Sequence, residues 1–182
     1  MKPTEKYQTL IDACVAKMNE ADQAVYRPIA EYAVELGYTP KAIKKANGNV
    51  DELVFSKSKV NRSLLRINPC NDKLYGQVRE VGKALLRLVF FATPEYSEAF
   101  RLGVKNVIET FGENSSGCYG CGRCDGDLQG YTYVCADGRT VFRCGRELLL
   151  ELPPLALEHV EEVKAMMKTQ NDFWLRKAEA AK

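Results

Sequence analysis

The residues able to do chemistry in this chain are concentrated in Gly117-Cys-Tyr-Gly-Cys-Gly-Arg-Cys124, followed by Cys135 and Cys144. Five of the seven cysteines lie there. Two residues between cysteines bend the backbone so that both thiolates face one centre, the arrangement that holds tetrahedral zinc. Cys118, Cys121 and Cys124 provide that spacing twice in succession. Gly120 and Gly122 permit the positive φ and close approach that let backbone amides donate to thiolate sulfur. Arg123 offsets part of the charge of a thiolate cluster, and Asp125 competes poorly beside the available sulfurs.

The fourth ligand follows from hairpin geometry. Asp137-Gly138, between segments 131–135 and 140–144, is a strong signal for a two-residue turn. With that turn, Cys144 lies opposite Tyr131 at the open end of the hairpin, and Cys135 lies opposite Thr140 near its tip. The two are about four rungs apart, roughly 13 Å at about 3.3 Å per residue, too far to share an ion. The expected ligand set is Cys118, Cys121, Cys124 and Cys144, with Cys135 left over.

A C-x-x-C-G knuckle joined to a hairpin cysteine resembles half of a zinc ribbon. The run Cys118 to Cys124 also resembles the three-ligand run of ferredoxin-type iron–sulfur proteins. It lacks the x-x-x-Cys-Pro that follows there, and polar Asp125-Gly126-Asp127 stands in place of apolar wrapping. Structural zinc is therefore the expected cofactor, with an iron–sulfur cluster second. Four cysteine ligands close the site and leave no position for a catalytic water.

Other catalytic constellations are missing from the sequence. His159 is the only histidine, beside Glu158, Glu161 and Glu162 on a helix face, and reads as a surface residue. There is no phosphate-binding G-x-x-x-x-G-K-[ST], no strand-linked G-x-G-x-x-G and no G-x-S-x-G. The reading is a binding domain rather than an enzyme. Two alternatives stand beside it. Arg62, Arg66 and Arg87, on or near strands, would line an anion-binding cleft if they project from the sheet face away from the helices. Segment 28–46 resembles a helix-turn-helix, with Gly37 in the turn and Lys41, Lys44 and Lys45 on a second helix. That helix is short and lacks Arg, Gln or Asn on its body to read base edges.

The elements that must position these residues divide the chain in two. A helical segment spans 1–48, with Tyr7, Leu10, Ile11, Cys14, Val15 and Met18 on one stripe and a second helix starting near Pro28 and ending at Gly37. Thr39-Pro40 then caps a short helix over 41–46. Cys14 falls in the apolar stripe and reads as core. Cys70, after Pro69, reads as a loop or core thiol. Residues 49–182 carry strand-strand-strand-Pro-helix twice, over 51–111 and 131–177, with the knuckle 117–126 between. Thr93-Pro94-Glu95 opens the first of those helices. The expected fold is α+β: a mostly antiparallel sheet built from two βββα halves, helices on one face, in one compact domain.

Composition adds limits rather than identity. Hydrophobic residues at 46% and charged residues at 27% suit a globular protein, and a net charge of +2 selects no partner class. Protein or small-molecule partners are expected over nucleic acid. Met1-Lys-Pro-Thr-Glu-Lys lacks the apolar core of a secretory signal, and the longest apolar run, 84–92, is too short to span a bilayer. A cytoplasmic setting, where thiols stay reduced, is expected.

Overall fold

The computed structural model describes residues 3–44, 50–70, 82–93, 95–111, 117–118, 120, 124, 128–145 and 149–180. The chain runs α1 (Pro3–Val15), α2 (Glu20–Glu35), β1 (Thr39–Lys44), β2 (Val50–Lys57), β3 (Arg62–Asn68) and β4 (Leu85–Leu88). It continues through α3 (Glu98–Phe111), β5 (Gly130–Val134), β6 (Thr140–Cys144), β7 (Leu150–Glu151) and α4 (Val160–Ala180). The fold is α+β. An antiparallel sheet has the order β1-β2-β3-β4-β7, and β5-β6 form a second sheet. No helix among the described residues is long and apolar enough to cross a membrane.

Directly opposed residues on neighbouring strands share a face. On one face of the larger sheet Leu53 opposes Ile67, Ile67 opposes Leu86, Phe55 opposes Leu65, and Leu88 joins Leu65 to Leu150. All are buried, and they merge with Ile11 and Cys14 of α1, Tyr26 and Ile29 of α2, and Val163 and Met167 of α4. Each such apolar side chain contributes about 1.5–3 kcal/mol when removed from water. The opposite face carries one rung of different character: Lys41, Val54, Arg66, Arg87 and Glu151. A bulge at Phe55/Ser56 leaves Leu64 unpaired against β2, and both Leu64 and Leu65 are buried.

Four expectations change. Helix α2 starts at Glu20, with Pro28 inside it. Asn19 sets that start: its Oδ1 accepts the Asp22 N–H at 2.9 Å, and its Nδ2 donates to the Asp22 carboxylate at 2.8 Å. The helix does end at Gly37, whose N–H bonds to the Val34 carbonyl while the Tyr38 N–H bonds to Ala33.

The short helix over 41–46 does not form. Thr39–Lys44 is instead the edge strand β1, paired with β2. Pro40 drives Thr39 toward extended conformations and is tolerated on an edge, where its missing N–H breaks no ladder. Segment 28–46 therefore has no recognition helix, which removes the basis of the helix-turn-helix reading; residues 45–49 lie outside the described residues.

Helix α3 begins at Glu98, later than Thr93-Pro94 suggested. Finally, the element order strand-strand-strand-helix does recur, but the halves do not share one sheet. β5 and β6 pair with each other, and only β7 joins the larger sheet, beside β4.

Tyr131 ties the smaller sheet to the larger. It is buried, and its hydroxyl accepts the Phe90 N–H at 2.9 Å, just past β4. Its ring lies 4.9 Å from Phe90 and 6.2 Å from Phe91, and Phe91 in turn meets Phe173 and Trp174 of α4 edge-on. A Cβ on Gly145 would lie 2.5 Å from Phe91 Cδ1, so only glycine permits this approach. Replacing Tyr131 with Phe leaves the buried Phe90 amide without its acceptor. The Tyr131→Phe variant is expected to lose about 1–3 kcal/mol, read from the urea unfolding midpoint at unchanged slope.

Candidate metal site

The β5–β6 turn is one residue longer than Asp137-Gly138 alone implies. Cys135 N–H donates to Arg139 O at 2.8 Å and Gly138 N–H to Cys135 O at 2.9 Å, with Gly138 at φ +82°. This is a three-residue loop with its last residue left-handed. The register moves by one, so Cys144 opposes Gly130 and not Tyr131, and Thr140 opposes Val134 and not Cys135. Cys144 still lies at the open end and Cys135 at the tip, roughly 16 Å apart at about 3.3 Å per residue.

Entry to the cysteine-rich loop is fixed against β6. Gly117 forms a parallel bridge with Arg143, and its N–H donates to Phe142 O. The bridge is isolated, and it sets against each other the residues that precede Cys118 and Cys144 in the chain. Gly120 follows at φ +61°, and its N–H donates to Cys118 Sγ at 3.4 Å. That is the amide-to-sulfur geometry expected of the glycine in a cysteine knuckle, and a side chain at this φ would be strained. Further on, the Cys124 carbonyl accepts from Gln129 Nε2 at 3.2 Å and from Lys177 Nζ of α4 at 2.7 Å.

Cys144 is buried, Cys124 half-buried and Cys118 exposed. Cys121, Gly122, Arg123 and Asp125 lie outside the described residues. Among the described residues, no group of three or more His, Cys, Asp or Glu side chains is disposed to hold a metal ion. The structure thus fixes Gly117 against Arg143, each one residue before a predicted ligand, and anchors the backbone of Cys124 to α4.

No family model, curated protein or solved structure matches this chain. What the chain does must be argued from its own geometry.

The remaining thiols and the histidine have structural surroundings. Cys14 is fully buried in the core, and burial pushes its thiol up to about 12. Cys70 is exposed, its N–H held by Asn68 Oδ1 at 3.0 Å. His159 is half-buried: Nδ1 accepts the Ala156 N–H at 3.0 Å ahead of α4, and the ring meets Phe100 edge-on at 6.1 Å. It caps a chain reversal rather than standing free on the surface.

Of the three arginines, Arg66 and Arg87 come together and Arg62 does not. Arg66 and Arg87 oppose each other across β3 and β4, on the face away from the Leu and Phe core. Between them reaches Glu52 of β2, a buried carboxylate that pairs with Arg66 Nη1 at 3.2 Å and with Arg87 Nη2. Arg62 instead donates to the carbonyl of Asn61. Both guanidiniums are directed at Glu52. Sequence reasoning passed over Glu52, although it stands at the strand position that shares the face of Val54, two residues on.

Removing the Glu52 charge leaves two arginines facing each other. Because Arg66 and Arg87 are about a third exposed, solvent screens part of the loss. The isosteric Glu52→Gln is expected to cost about 1–3 kcal/mol, measured by denaturant unfolding, with the deficit shrinking as salt is raised.

Proposed function

We propose that this protein is a metal-stapled binding domain, in which zinc held by Cys118, Cys121, Cys124 and Cys144 fastens loop 117–126 to the base of the β5–β6 hairpin and to α4. The observation that carries the reading is the parallel bridge Gly117–Arg143, which ties the start of the cysteine-rich loop to the strand that carries Cys144. The Gly120 N–H donated to Cys118 Sγ supports it, as a backbone contact that orients a sulfur in a glycine-containing loop. The donor set fits zinc: soft sulfurs at C-x-x-C spacing, with one ligand on a rigid strand.

Bound there, zinc supplies cross-links rather than chemistry, and the site has no open coordination position. The chain's own residues do the rest. Gln129 and Lys177 hold the Cys124 carbonyl, so the end of α4 and the hairpin base move with the loop. The protein then acts by binding a protein or small-molecule partner in the cytoplasm, where the thiols stay reduced. The two βββα segments, though they do not share one sheet, are joined by this loop.

Elemental analysis of the purified protein, run beside thiol titration before and after chelation, tests the reading. About one zinc per chain is expected, with four thiols becoming reactive together on chelation. Cys144→Ser should lose the metal and loosen the hairpin, whereas Cys135→Ser should retain it. Iron with acid-labile sulfide would replace the structural role with electron transfer. No metal, with all thiols reacting freely, overturns the proposal.

A further inference from the structure

Three clefts among the described residues differ in charge. One of about 410 Å³ runs between α3 and the hairpin, past Lys105, Glu109, Cys135, Asp137 and Arg139. A neighbour of about 330 Å³ is bordered by Tyr96, Glu98, Arg101 and Lys105. Both mix signs: Lys105 pairs with Glu109 at 3.7 Å and Arg139 with Asp137 at 2.7 Å. Neither selects a ligand by charge.

The third cleft, about 370 Å³, lies between the hairpin base and α4. Phe91, Leu128 and Phe173 form its apolar walls, Gln129 and Lys177 its polar part, and among the described residues no carboxylate lines it. Lys177 has no carboxylate partner among the described residues. Its ammonium donates to the Cys124 carbonyl at 2.7 Å and stands 5.8 Å from the centre of the Phe173 ring. An ammonium has three N–H donors, so the carbonyl leaves capacity for a further acceptor. The walls are pre-set, because Phe91 is held edge-on by Phe173 at 5.5 Å, by Tyr131 at 6.2 Å and by Trp174 at 6.4 Å. Rigid walls lower the ordering cost of binding.

We infer that this cleft binds a small organic carboxylate with an apolar arm, the arm between Phe91, Leu128 and Phe173 and the carboxylate on Lys177. The volume lies at the small end of ligand sites, roughly 300–1,000 Å³, enough for one ring and a short chain. A single ammonium suits a monoanion; a phosphate calls for more donors than one lysine provides. The inference names the ligand class for the binding role proposed above, and it uses none of the four cysteine side chains.

Trp174 is the only tryptophan and touches Phe91, so its fluorescence reports on the cleft. The full-length protein is titrated with 3-phenylpropionate and with its neutral amide, by calorimetry and by Trp174 emission, with zinc content measured on the same samples. The carboxylate is expected to bind about 10-fold tighter than the amide. Lys177→Gln should erase that preference at unchanged far-UV circular dichroism, and Lys177→Arg should keep it. No saturable binding, equal affinities, or a preference that persists in Lys177→Gln each overturns the inference. A carboxylate preference without zinc would sink the metal proposal and leave this one standing; zinc without the preference would do the reverse.

Discussion

The seat of Tyr131 beneath Phe90 and Phe91 is the constraint from which the second half of the molecule takes its position. Strand β4 ends at Leu88, and the chain just beyond it supplies two consecutive aromatic rings, Phe90 and Phe91. Phe90 turns into the core, edge-on to Phe100 and Tyr96 of the α3 side. Phe91 turns the other way, toward α4. Tyr131 fits between them and satisfies the Phe90 amide, so a hairpin with few backbone links to the main sheet is still fixed in register and angle. Burial pushes the Tyr131 hydroxyl well above its ordinary range, which keeps it neutral and available as an acceptor. Edge-on aromatic contacts contribute about 0.5–1.5 kcal/mol each beyond burial; their value here lies as much in direction as in energy.

A different balance governs the outer face of the larger sheet. A carboxylate as buried as Glu52 costs several kcal/mol to desolvate, and two guanidiniums on adjacent strands repel. Each problem answers the other. The three groups form a compact ionic cluster whose net charge is +1 instead of the +2 that two arginines alone would present. Pairing with Glu52 also explains why a strand otherwise built of leucine tolerates Arg87: the residue faces away from the core that its neighbours Leu86 and Leu88 enter.

Much of this organisation was legible in the sequence where a local rule acted alone. The apolar stripe of α1, the Gly37 stop, the core position of Cys14 and the β5–β6 hairpin all follow from periodicity or turn chemistry. Where two local signals competed, the reading failed. Pro28 was read as a first-turn residue because it suits that position, yet Asn19 with Asp22 made a stronger cap eight residues earlier, and the helix absorbed the proline. Thr39-Pro40 resembles a cap, but pairing with β2 gave those residues a ladder that a two-turn helix could not match. The sharing of sheets was not legible at all, because β7 is two residues long and its partner is chosen by tertiary packing at Leu88 and Leu150. Glu52 was missed for a related reason: a single charged residue at the start of a strand shows its meaning only once the partner strands are placed.

In the proposed metal site a strand and a loop divide the supply of ligands. Cys144 sits on a strand whose register is fixed by five rungs with β5, and Gly117, just before Cys118, is bridged to Arg143 of that strand. In the proposal Cys121 and Cys124 are supplied by their C-x-x-C spacing. The one-residue change in hairpin register tests this division. It moved Cys144 from Tyr131 to Gly130 without removing it from the open end, because the argument depended on which end of the hairpin each cysteine occupies and not on its exact partner. Lys177 and Gln129 extend the same logic outward: by gripping the Cys124 carbonyl rather than any sulfur, they join the loop to α4 through groups whose hydrogen bonding is independent of the protonation of the thiols.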